Sequence, residues 1–184
     1  MKTEQQYFED GQLMEVYMDN MSQLKELSHA IYEGFEVPAD GFVEQLKAAN
    51  LHILAITEDW CGDAMLNNPI IRKVAEAADI EIRTVLRDAD TDLIDRHLTN
   101  GGRAIPVYLI LNEAGEVVGK WGPRAPELQD LVMKLRTALP DKEDASFEQA
   151  QADMYGNMRQ RYTEDATLWT YVYNNFKETI TNLI

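Results

Sequence analysis

Apolar residues recur along this 184-residue chain in two rhythms, and the alternation between them outlines the fold. From residue 10 to 50 the rhythm is helical. Met14, Tyr17, Met21, Leu24, Leu27 and Ile31 fall three or four apart, the spacing of one helix face. Gly34 stops that run, and Pro38 stands where a first-turn proline opens a second helix, ending near Asn50. Between residues 51 and 139 the apolar runs shorten. Leu51 to Ile56 reads as a buried strand, Asn68 to Ala78 as a helix, and Ile80 to Leu86 alternates like a second strand. A short helix is expected near Thr91 to Leu98, ended by Gly101 and Gly102. Val107 to Leu111 is the strongest strand, Asn112 to Gly115 is turn chemistry, and Glu116 to Lys120 returns as its partner. Pro126 opens an amphipathic helix to about Leu139. Pro140 to Asp144 is a polar break, and residues 145–183 read as helix with Trp169, Val172, Tyr173, Phe176 and Ile180 on one stripe.

The middle section therefore has the order β-α-β-α-β-β-α, and the fold class is α/β. The expected organisation is a central domain over 45–139, a helical extension over 1–44 and another over 140–184. The stripes of the two extensions are helix faces for the domain to cover; a homodimer interface is the alternative use of the same residues.

Composition narrows the function. At 45% hydrophobic residues the chain can build a core. Its 17 basic against 32 acidic residues give a formal charge of −15, which opposes binding to nucleic acid or to an anionic membrane surface. No segment reaches about 18 apolar residues, so no membrane span is expected. Met1 to Gln6 is polar and unlike a secretory signal. The single cysteine excludes an internal disulfide and suits a reducing cytoplasm. Asp88, Asp90 and Asp92 start like a calcium loop, but Leu93 and Thr99 stand where its glycine and glutamate belong, so capping and solvation explain them better. His29, His52 and His97 have no ligand spacing, and neither a metal nor a cofactor is expected.

The candidate chemistry lies at Trp60-Cys61-Gly62-Asp63-Ala64, between the first strand and the helix after it. Strand, then Trp-Cys-Gly, then helix, resembles the active-site arrangement of the thioredoxin-like family. The strand order matches that fold, Arg103 to Val107 resembles its cis-proline loop, and Gly119 to Gly122 its glycine-bearing turn. The likeness spans roughly residues 45–139. It implies a thioredoxin-like fold in which Cys61 is the attacking nucleophile. Ile105 would offer its backbone to an extended partner, Pro106 would shape the groove, and Trp60, Gly62 and Asp63 would flank the bound chain.

Two departures from the family pattern reshape that expectation. The resolving cysteine falls at Ala64, and the buried aspartate six residues before the attacking cysteine falls at Ala55. A dithiol cycle within one chain is thereby excluded. A thiolate at a helix N-terminus is favoured by unpaired N–H groups, whereas the carboxylate of Asp63 one turn away disfavours it. The leading expectation is monothiol thiol–disulfide exchange through Cys61 with a protein or a low-molecular-weight thiol, resolved by an external thiol. The alternatives are a non-catalytic binding module on the same fold and a redox-sensing thiol without turnover. Monothiol glutaredoxins also use one cysteine, but their glutathione-binding pattern around the cis-proline is absent, so neither glutathione nor an iron–sulfur cluster is assigned.

Overall fold

A computed structural model describes residues 1–184. At its centre is a five-stranded mixed sheet ordered β1-β3-β2-β4-β5, formed by β1 (Gln12–Leu13), β2 (His52–Thr57), β3 (Ile82–Leu86), β4 (Val107–Leu111) and β5 (Val117–Trp121). β2 runs parallel to β3 and antiparallel to β4, so the loop that follows β2 emerges at the centre of the sheet. β5 closes one edge by the hairpin, and β1 lies antiparallel on β3 at the other.

Side chains on adjacent strand positions feed opposite faces. Ile53, Ala55, Tyr108 and Ile110 enter a large core shared with α3 (Lys25–Gly34), α5 (Gly62–Ala77), α7 (Pro126–Thr137), α8 (Phe147–Glu164) and α9 (Ala166–Thr181). Leu54, Ile56, Val107, Leu109 and Leu111 enter a smaller one, with Leu93 and Ile94 of α6 (Thr91–Asp95) and Tyr7 and Phe8 of α1 (Glu4–Asp10). Cys61 and Ala64 lie in the smaller cluster. Both apolar stripes of the extensions are buried in the large core, from Met14, Tyr17 and Ile31 to Val172, Tyr173, Phe176 and Ile180.

Several elements differ from the sequence expectation, each for a local reason. The polar N-terminus is a helix because Thr3 and Gln6 form a reciprocal capping box and Tyr7 and Phe8 bury against the sheet. The helical stretch from residue 10 is divided into β1, α2 (Met14–Asp19) and α3. Between the two helices the Ser22 amide and hydroxyl both donate to Asp59 (2.8 and 2.7 Å), tying this connection to the loop before Cys61. The next helix, α4 (Phe42–Ala48), starts after Gly41 rather than at Pro38, with Asp40 accepting from the Phe42 amide. The C-terminal stretch is two helices because Asp165 is extended and its carboxylate caps α9 at Thr167. That break lets α8 pack on α3 and α5 while α9 covers α5 and β5.

The largest difference concerns α5, which begins at Gly62 rather than at Asn68 and passes through Pro69. A proline within a helix leaves the carbonyl four residues back without its N–H donor. Here that carbonyl belongs to Met65, and the buried Ser28 hydroxyl donates to it at 3.0 Å. Asn68, where the sequence pattern starts the helix, and its neighbour Asn67 are buried anchors instead. Asn68 donates to Thr57 Oγ1 (3.0 Å) and accepts from Tyr108 (2.6 Å), while Asn67 donates to the Pro123 carbonyl (2.8 Å). The first two turns of α5 are thus fixed to β2, β4 and the 122–124 loop.

Candidate functional site

Cys61 is the N-cap residue of α5, in extended backbone conformation, at the exit from β2. It is 9% exposed, and its thiol donates to the Ile105 carbonyl (Sγ···O 3.6 Å). The Ile105–Pro106 peptide is cis, as is Gly122–Pro123. The two proline loops are in direct contact: Gly122 has φ +112°, and a Cβ there would stand 2.4 Å from the Pro106 carbonyl oxygen. Only glycine fits that approach.

Burial, first, and the carboxylate of Asp63, second, push the Cys61 thiol up to about 11. The Ala64 and Asp63 amides and the Arg124 guanidinium act the other way and are outweighed. The tension between helix terminus and Asp63 foreseen in the sequence is therefore decided mainly by a third factor, desolvation. At neutral pH the side chain is a neutral thiol, which its hydrogen bond to a carbonyl requires. Ala55 lies fully buried on β2, paired across to Tyr108, so no carboxylate underlies the site at that position.

Asp63 itself is engaged inside the fold. Arg124 Nη2 lies 2.8 Å from one carboxylate oxygen, and the Tyr162 hydroxyl donates to the other at 3.0 Å. This clasp joins the start of α5, the loop before α7 and α8. Burial and the adjacent Asp63 carboxylate push the Tyr162 hydroxyl far above the ordinary tyrosine range. Trp60 is 46% exposed, with the Arg87 guanidinium 5.1 Å from its ring centroid.

Trp60, Cys61, Gly62, Asp63 and Ile105 line one groove with a volume of about 450 Å³. Pro106 is buried behind it. The opposite wall was not foreseen: it comes from α7 and α8, through Arg136, Tyr155, Met158, Arg159 and Tyr162, with Arg124 at one end. Gly62 leaves room beside this wall, since a Cβ there would meet only Arg159 Cγ, at 4.0 Å. The only local signal for these residues is the Gly122-Pro123-Arg124 turn; the others are ordinary charged and aromatic positions on helices.

The remaining singled-out groups have structural partners. Asp90 caps α6 and accepts from Tyr7, Asp88 pairs with Arg87, and the three histidines contact Met18, Gln5 and Glu4. No helix is long and apolar enough to cross a membrane.

The sequence model of the family described as Thioredoxin matches residues 11–142. A crystal structure of a protein of unknown function from Pseudomonas aeruginosa is similar at 16% identity, covering 95% of this chain and 99% of that one, with a TM-score of 0.62. An HIV epitope-scaffold is similar at 17% identity over 94% of this chain and 98% of the other, with a TM-score of 0.58. At these identities the likeness concerns the fold. No curated protein matches.

Proposed function

The chain belongs to the thioredoxin family, and from that premise we propose that it is a monothiol thiol–disulfide exchange protein acting through Cys61. The observation that carries this reading is the position of Cys61: the start of a 16-residue helix, the floor of a groove, and the Ile105 carbonyl opposite. Cys61 attacks a disulfide, forms a mixed disulfide, and is released by an external thiol, because Ala64 offers no resolving sulfur. A protein with one unpaired cysteine works best where thiols stay reduced, and we place it in the cytoplasm. The resting thiol is protonated, so exchange is slow until a proton is withdrawn. The test is intact-mass analysis after exposure to 2-hydroxyethyl disulfide. Wild-type protein should gain one adduct, and Cys61→Ser none while keeping its fold. A folded wild type that stays unmodified at pH 9 ends the proposal.

A second reading is favoured by one observation. The thiol is held neutral by burial and bonded to a carbonyl, as suits a binding module in which Cys61 does not turn over or serves as a slow redox sensor. Ligand binding that survives Cys61→Ser, in a protein that forms no adduct, is the result that selects it.

A further inference from the structure

The groove over Cys61 has a charge opposite to that of the molecule. The chain carries a formal −15, yet Arg87, Arg124, Arg136 and Arg159 line this one cavity. Its only acid is Asp63, whose two oxygens are occupied by Arg124 and Tyr162. Arg136 and Arg159 are the only arginines without a carboxylate partner. Each of the others is within ion-pair distance of an acidic side chain. In a protein with nearly twice as many acids as bases, two guanidiniums that line one groove and pair with no carboxylate of the chain are free to take an anionic ligand. The buried Nε of Arg124 is also without an acceptor.

The shape selects against an extended chain. Ile105 is buried, and its carbonyl is engaged by the thiol itself. α8 lines the groove through Tyr155, Met158, Arg159 and Tyr162, which narrows the approach to the Ile105 backbone. A cavity of about 450 Å³ is the size of a small-molecule site.

Resting on the monothiol reading above, we propose that the exchange partner is a low-molecular-weight thiol bearing carboxylates, held by Arg136 and Arg159 with its sulfur over Cys61. Guanidinium forks match carboxylates in geometry and supply charge-assisted hydrogen bonds. In the reaction the Cys61 thiol gives up its proton to solvent and its sulfur attacks one sulfur of the small disulfide. The S–S bond breaks as the mixed disulfide forms, and the departing thiolate takes a proton from water. An external small thiol of a different kind, as its thiolate, then attacks the ligand sulfur of the mixed disulfide. A small disulfide leaves, and Cys61 is restored and reprotonated.

A charge series of disulfides tests this: the disulfide of mercaptosuccinate (anionic), 2-hydroxyethyl disulfide (neutral) and cystamine (cationic). Rates of adduct formation on Cys61 are corrected for each reagent's rate with free cysteine. The anionic reagent should react at least tenfold faster than the neutral one, and the cationic one slowest. Arg136→Gln with Arg159→Gln should erase that order, the anionic reagent losing far more rate than the neutral one, and added salt should compress it. Equal corrected rates, or an order indifferent to the two substitutions, overturn the proposal while leaving monothiol exchange intact. In Cys61→Ser protein, calorimetry with reduced mercaptosuccinate should show binding that the double substitution abolishes. Such binding in a protein whose wild type forms no adduct supports the ligand class and removes the exchange reading. No binding in Cys61→Ser counts against the arginine site itself.

Discussion

Replacing Asp63 by Asn removes one negative charge beside Cys61 and leaves the residue's shape and its ability to accept from Tyr162. Asp63 lies within the first turn of α5, and its side chain is only 12% exposed, so solvent screens it weakly. Unit charges about 5–6 Å apart at an effective dielectric near 20 interact by about 3 kcal/mol. Allowing for relaxation of Arg124, about 2–3 kcal/mol of thiolate destabilisation should vanish, a roughly 30–150-fold larger thiolate population at fixed pH. A less basic sulfur is a poorer nucleophile, and with a Brønsted coefficient near 0.4–0.5 the net gain in exchange rate is roughly 5–15-fold. The assay is the reaction of Cys61 with a neutral aromatic disulfide at neutral pH, followed by release of the chromophore. Tyr162→Phe is the companion variant, because it loosens the same clasp and keeps the charge. An Asp63→Asn rate no higher than wild type refutes the electrostatic argument. A Tyr162→Phe rate as high as that of Asp63→Asn shows that opening of the groove, not charge, limits access.

Three further outcomes follow from the packing. Because folding raises the Cys61 thiol from the ordinary ~8.5 to about 11, the protonated thiol's contribution is complete below pH ~8.5 and is lost as pH rises through 11. Wild-type stability should therefore fall by on the order of 2–3 kcal/mol across that window. The loss should be largely absent in Cys61→Ala, as read from urea denaturation at stepped pH. Ser28→Ala should destabilise the fold by about 1–3 kcal/mol by leaving the Met65 carbonyl buried and unpaired above Pro69; a denaturation midpoint equal to wild type would count against that account. Ala64→Cys places a second sulfur one helical turn from Cys61 at a buried position. Mild oxidation should then consume both thiols in a free-thiol count, and an unchanged count would show that the loop does not bring them together.

The sheet was legible because its strands are short apolar runs between turn residues, and β4 was read residue for residue. The helix carrying the site was placed six residues late. Asn67-Asn68-Pro69 has the composition of a helix start, and only distant partners, Ser28 and the 122–124 loop, convert it to helix interior. Among the sequence candidates, Trp60, Cys61, Gly62, Asp63 and Ile105 meet in one groove because they lie in or beside the two loops that flank the sheet's centre. The arginine wall was invisible for the opposite reason. Arg136 and Arg159 are charged residues on amphipathic helices, with no local pattern to separate them from solvated surface. Their convergence depends on Asp165 ending α8 and on Asp63 catching Tyr162 from 99 positions away.

That clasp also has a consequence for synthesis. Its three members enter the chain in the order Asp63, Arg124, Tyr162, and the last arrives 38 residues after the second. At about 5–20 residues per second, a ribosome needs roughly 2–8 s to add that stretch. Throughout that interval every residue of the sheet, of the proline loops and of the thiol's own turn has been added to the chain, while the α8 part of the wall has not been completed. The newborn protein therefore passes through a stage in which α8 does not yet face its only thiol. During those seconds an oxidant meets the thiol without passing Tyr155, Arg159 and Tyr162 of α8.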